Sequence, residues 1–217
     1  MKTTTKKLNA FTLAETLITL MVIGVIAVIT IPTLKDYSDE VKYVTAAKKA
    51  YSSVSNATNA VEVKHTDSYF WDFTSAKTLK WYKEVVNEIP NPIPSKSTWT
   101  MSEIGGGWAG TFTPSFWTGD GMAWMLQSAS SGCAKGGDII VDTNGAQQPN
   151  TIGIDIHGFV VGHKSCKASD FGVFAMGDGI NDENSTFACT SYAITQGKMP
   201  WFRKIGTYTN CYSFAGS

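Results

Sequence analysis

The chain has 217 residues, 43% hydrophobic and 17% charged, enough for one membrane helix and one globular domain of ordinary size. Its 18 basic and 18 acidic side chains cancel, which argues against nucleic-acid binding through a basic surface. No GxSxG, P-loop, HExxH or glycine-rich dinucleotide fingerprint occurs, so no enzymatic role is expected.

The leader MKTTTKKLNA carries Lys2, Lys6 and Lys7, and the apolar run FTLAETLITLMVIGVIAVITIP follows from Phe11 to Pro32. About 20 residues of helix cross a hydrocarbon core about 30 Å thick, so the run reads as a membrane span. Lysines ahead of the span and none within it place the leader in the cytoplasm and the C-terminal bulk outside. A secretory signal carries its small-residue cleavage site after the apolar core. Here the small residue, Ala10, stands before it. Cleavage between Ala10 and Phe11 removes the three lysines, leaving 15 basic side chains against 18 acidic and a net charge of minus three. It also creates an amino group four residues from Glu15, the only acid in the run. An unpaired carboxylate in hydrocarbon costs on the order of a few kcal/mol, and the new amine is its expected counter-charge.

This segment resembles the N-terminus of type IV pilins and type II secretion pseudopilins. Phe11, Thr12, Leu13, Glu15, Gly24 and Pro32 each stand where that family's pattern puts them, and the match covers residues 10–32. Ala10 departs from the family's usual glycine; as the next smallest side chain it is expected to permit slower cleavage. The resemblance implies a structural subunit of a pilus or pseudopilus, cut by a prepilin peptidase and methylated at the Phe11 amine. Glu15, Gly24 and Pro32 would serve assembly. The implied partners are other pilin or pseudopilin subunits, the inner-membrane assembly platform and the lipid bilayer. The implied fold is α+β, a long N-terminal helix packed on a C-terminal antiparallel sheet, single-pass in the cytoplasmic membrane with an extracytoplasmic head. The expected divisions are the leader (1–10), the transmembrane half of the helix (11–33), its amphipathic half (34–64) and the head (65–217).

In chain order after Pro32, where proline chemistry predicts a kink, Tyr37, Val41, Val44, Tyr51, Val54 and Val61 recur at helical spacing and predict an amphipathic continuation to about Val63. Leu79, Tyr82, Val86 and Ile89 make a short helical face, with Thr74 or Ser75 as N-cap and the run PNPIP as its stop. Trp99, Trp108, Phe112, Phe116 and Trp117 follow among glycine and proline. They read as core filling or subunit contact; the alternative is a minor pilin or adhesin whose aromatic loop stacks on a glycan. Strands are predicted at 122–126, 139–142, 154–156 and 159–161, with turns at Asn144-Gly145 and Pro149-Asn150, and a short helix near 186–195.

Cys133, Cys166, Cys189 and Cys211 suit an exported domain and allow three pairings. Sequence proximity favours Cys133 with Cys166 and Cys189 with Cys211, each closure worth about 3 to 4 kcal/mol in the chain-entropy model. His163 beside Cys166, and Asp178 with Asp182, lack the surrounding pattern of catalytic groups. The segment DTNGAQQPNTIGID offers Asp142, Asn144, Asn150 and Asp155 as oxygen donors for a structural calcium ion, such as some members of the resembled family use to fix a loop of the head. Its spacing lacks the full EF-hand set, and turn formation explains the same residues. No other cofactor is expected.

Overall fold

The structure, a computed structural model, describes residues 12–65, 71, 73, 75–93, 95–104, 109–128, 137–163, 171–176, 187 and 189–202. The fold is α+β. In chain order the elements are α1 (Leu13–His65), α2 (Ala76–Val85), β1 (Glu88–Ile89), β2 (Trp99–Ser102), β3 (Ala109–Phe112), β4 (Phe116–Thr118), β5 (Ala123–Ser128), β6 (Gly137–Asp142), β7 (Ile156–His163), β8 (Phe171–Ala175) and α3 (Cys189–Gln196). The chain divides into two compact units, Met1–Asp39 and Glu40–Ser217.

The first unit holds the apolar part of α1. Leu13, Leu17, Leu20, Ile23, Ile29 and Leu34 are each more than half exposed, so their apolar surface is largely uncovered by the described residues. Pro32 lies inside the helix, and the helical pattern continues through the site of the expected kink. Proline lacks the N–H that would bond the Val28 carbonyl. Threonine hydroxyls turn inward to helix carbonyls instead of to solvent: Thr30 Oγ1 donates to Ile26 O at 2.9 Å and Thr33 Oγ1 to Thr30 O at 2.8 Å. A polar group satisfied by its own helix is compatible with a hydrocarbon surrounding.

In the second unit α1 buries a stripe of Val44, Ala47, Ala50, Val54, Ala57, Thr58 and Val61. The stripe is narrower and starts later than its predicted form. Tyr37 and Val41 are exposed and Tyr51 is half-buried, because the contact is made by alanines that let the helix backbone approach the sheet. Six strands pair antiparallel in the order β1-β4-β5-β6-β7-β8. One sheet face packs Trp124, Ile139, Val141, Phe159 and Val161 with the α1 stripe and α2. Across that layer the Thr58 and Tyr82 hydroxyls lie 2.9 Å apart, and both residues are fully buried. The opposite face carries Trp117, Met125, Ile140, Ile156 and Val160 against the β2–β3 hairpin, where Trp99 stacks on Phe112 at 4.8 Å.

Several expectations shift in detail. Ser75 is the N-cap of α2, its Oγ accepting from Thr78 N at 3.3 Å; Thr74 lies outside the described residues. Ile89 belongs to β1, opposite Trp117, because the helix ends at Val85 and Asn87 takes φ +51°. The strands predicted at 154–156 and 159–161 are one strand, β7, with Ile154 in the preceding turn. Gly158 does not interrupt it. That glycine is required by close packing, since an added Cβ would lie 2.5 Å from Met176 Sδ and 2.9 Å from Phe187 Cβ.

Candidate functional site

At the start of α1 the sequence Thr12-Leu13-Ala14-Glu15 forms a reciprocal cap. The Thr12 N–H and Thr12 Oγ1 both donate to Glu15 Oε2 at 2.8 Å, and the Glu15 N–H points back to Thr12 Oγ1 at 3.3 Å. Threonine at the N-cap with glutamate three residues on satisfies helix donors from both directions. Glu15 therefore has a partner in its own chain. The T-x-x-E spacing that marks such a cap is local in the sequence, beside the charge that sets Glu15 apart. Gly24 meets nothing within 4 Å of an added Cβ, so it leaves a shallow place on the exposed helix. Ala10 and Phe11 lie outside the described residues, as do Trp108, Cys133, Cys166, Asp178, Asp182 and Cys211. Cys189 is disulfide-bonded, to a cysteine outside the described set.

The loop between β6 and β7 gathers Asp142, Asn144, Asn150 and Asp155, as the sequence suggested. Asp142 ends β6 and is fully buried, with Oδ2 accepting from Trp99 Nε1 at 2.9 Å and Oδ1 from the Asn144 N–H at 3.2 Å. Asp155, also fully buried, accepts from the Asn150 N–H at 2.8 Å and the Thr151 N–H at 2.7 Å. Gly145 at φ +67° supplies the positive φ that the Asn-Gly pair forecast, and Asn150 at φ +50° is left-handed where Pro-Asn forecast only a change of direction. The loop is tied to β2: Ser102 N donates to Asn150 O at 3.1 Å and Ile152 N to Ser102 O at 2.9 Å.

Burial first, and the neighbouring Asp155 charge second, push the Asp142 carboxyl up to about 8. Burial pushes Asp155 up to about 6, against the pull of the Thr151 and Asn150 amides. Two carboxyls in one dry loop thus retain a proton near neutrality. The amide oxygens of Asn144 and Asn150 are buried and accept no hydrogen bond. The Asn144 amide nitrogen is occupied, donating to Gln148 O at 3.3 Å. Among the described residues no group of three or more His, Cys, Asp or Glu gathers, so any cation here would need these amide oxygens besides the two acids. That set, all oxygen, fits a hard cation such as calcium and does not fit zinc. Trp99, 43 residues from Asp142, had no local signal marking it as the carboxylate's donor.

The described aromatics of the 99–117 stretch form core. Trp99, Phe112, Phe116 and Trp117 are all buried, which removes them as an open stacking platform. On the other sheet face His157 is fully buried, its Nε2 within 3.1 Å of Ile154 O, and burial lowers its pKa to about 4. Comparison with protein-family models, curated proteins and solved structures gave no match for this chain.

Proposed function

We propose that this chain is a structural subunit of a type IV pilus or type II secretion pseudopilus, matured by cleavage between Ala10 and Phe11 and assembled through the apolar half of α1. The observation that carries this reading is the contrast within one helix. Its N-terminal part exposes its large apolar side chains, while its C-terminal part buries a stripe beneath its own sheet. α1 is long and apolar enough to cross a membrane, a test that a signal segment also passes. Retention of the helix after cleavage separates the two. Intact-mass analysis of the membrane-extracted protein is expected to show loss of residues 1–10, with a methyl group on Phe11. A mature chain that keeps the leader, or one that loses the apolar helix, overturns the proposal.

In the assembled state apolar helices pack against one another through dispersion contacts, and a charge pair between the Phe11 amine and a neighbour's Glu15 sets their register. The internal cap offers a competing reason for Glu15, and the two separate by substitution. Glu15→Gln keeps a capping acceptor but loses the charge. Both Glu15→Ala and Glu15→Gln are expected to insert into membranes normally and to reduce filament yield about tenfold or more, the equivalent of about 1.4 kcal/mol of lost pairing. Filaments of normal yield from Glu15→Gln would assign the residue to helix capping alone.

A further inference from the structure

We propose that the cleft between α1 and the β4–β5 turn binds a neutral polyhydroxylated molecule, of the class of a mono- or disaccharide, through the indole N–H of Trp124 and the carboxylate of Asp120. This goes beyond the assembly reading and does not rest on it.

The cleft lies wholly within the second compact unit, and small residues keep it open. Ala57 and Ala60 of α1, Val85 and Val86 at the end of α2, and Gly119 in the turn line a space of about 420 Å³. Ligand sites run from about 300 to 1,000 Å³, so this one suits a small molecule. Ser53 and Asn56 stand on the Ala60 face of α1 and bring a hydroxyl and an amide to the same wall.

Trp124 is the residue that points to a ligand. It lines the cleft, is 1% exposed, and its Nε1 is buried without an acceptor. Trp99 and Trp201, also buried, each donate at 2.9 Å, to Asp142 Oδ2 and to Gly153 O. An indole N–H can only donate, and burying it unmet carries a desolvation cost that an incoming acceptor would relieve.

Asp120 sets the charge of that ligand. Its carboxylate accepts from Thr118 Oγ1 and pairs with Lys49 Nζ at 2.9 Å. Burial by itself would raise its pKa, but Thr118 and Lys49 outweigh burial and hold the carboxyl below its ordinary range, so it is an ionised acceptor at neutral pH. Lys49 already balances this charge, and the cleft therefore calls for no ionic ligand. It calls for an acceptor toward Trp124 and donors toward Asp120, and a hydroxyl is both. The alanine and valine side chains offer the C–H face of a sugar ring an apolar surface.

The test uses the full-length chain with isotope-labelled tryptophan, in micelles of a detergent whose headgroup is not a sugar. The seven indole signals are followed during titration with D-glucose, D-galactose and lactose, and the Trp124 signal is the one absent from Trp124→Phe. With at least one of these sugars the Trp124 indole proton is expected to move downfield and saturate, with a Kd of about 1 mM or tighter. Lactose binding tighter than either monosaccharide extends the ligand to a chain of sugars; equal binding confines it to one ring. Ala60→Leu, which fills the cleft from the half-buried flank of α1, is expected to weaken binding about tenfold or more with little change in melting temperature. Trp124→Phe keeps a ring but no donor and is expected to weaken binding about tenfold, read by calorimetry. If Trp124→Phe does not fold, calorimetry on Ala60→Leu decides. No saturable indole shift and no saturable heat up to about 10 mM of all three sugars overturns the proposal. Undiminished binding in Ala60→Leu overturns it equally. Neither result bears on cleavage at Ala10–Phe11, so the two proposals fail separately.

Discussion

Kept free of divalent cations by EDTA, the protein is expected to lose stability as pH rises from 6.5 to 8, by about 1.4 kcal/mol per pH unit. The sign follows from Asp142. Its folded-state pKa, about 8, stands above the ordinary aspartate value of 3.8, so the folded protein holds a proton that the unfolded chain has released. Such a group stabilises fully below the unfolded pKa and loses its contribution as pH rises through the folded one. His157 acts in the opposite sense. With a folded pKa of about 4 against 6.5, its contribution is complete above pH 6.5 and is lost as pH falls through 4. Asp155, raised to about 6, adds to the Asp142 slope below that pH, where His157 opposes both, and above 6.5 the Asp142 slope dominates. Over that window the loss is about 2 kcal/mol, or about 4 to 8 °C in melting temperature. Asp142→Asn mimics the protonated acid, and its amide oxygen can still accept from Trp99. It should flatten the slope and exceed the parent in stability at pH 8. A parent melting temperature that is flat or rising from pH 6.5 to 8 refutes the shared proton.

Gly153→Ala is expected to cost about 3 to 5 kcal/mol, read as a fall in the urea midpoint, from two sources that add. Gly153 has φ +85°, which an L side chain adopts only with strain. A Cβ there would also meet Cys189 Cβ at 2.7 Å and Sγ at 2.8 Å, and the disulfide prevents that side chain from swinging away. The backbone has little freedom to retreat, since Gly153 N donates to Ile156 O at 2.8 Å and Gly153 O accepts from Trp201 Nε1 at 2.9 Å. Gly121→Ala provides the control. Its φ is +87° with nothing within 4 Å of the new methyl, so it isolates backbone strain, about 1 to 2 kcal/mol. Equal costs at the two positions would show that the Cys189 contact relaxes freely.

What the sequence disclosed follows from how local each signal was. The long helix was legible because an uninterrupted apolar run and a heptad-like stripe are both written within a few turns, and the observed α1 ends within two residues of the expected boundary at Val63. The β6–β7 loop was legible for a similar reason, as Asn144-Gly145 and Pro149-Asn150 state their backbone demands by residue type. Strands β1 and β8 had no predicted counterpart, and neither had β2, β3 and β4, for which the cause is plain. They have three or four residues each and lie among glycines and prolines, and their pairing, Trp99 opposite Phe112 and Phe116 opposite Trp124, appears only when distant segments meet. The same separation hid Trp99 as the donor to Asp142. The alanines of α1 carry no large apolar signal, because they matter through being small.

The β1 strand bears on how copies of this chain avoid the wrong kind of association. It forms one margin of the six-stranded sheet and consists of Glu88 and Ile89 alone. Asn87 before it turns left-handed, and Pro90 after it has no N–H to donate. A strand from another copy would find almost no ladder to extend there, and a carboxylate at the meeting point. Proteins confined to a bilayer are concentrated in two dimensions, where an open margin would template runaway cross-β stacking. Blunting this margin discourages growth by strand addition at β1, which under the proposed function leaves assembly to the exposed helix.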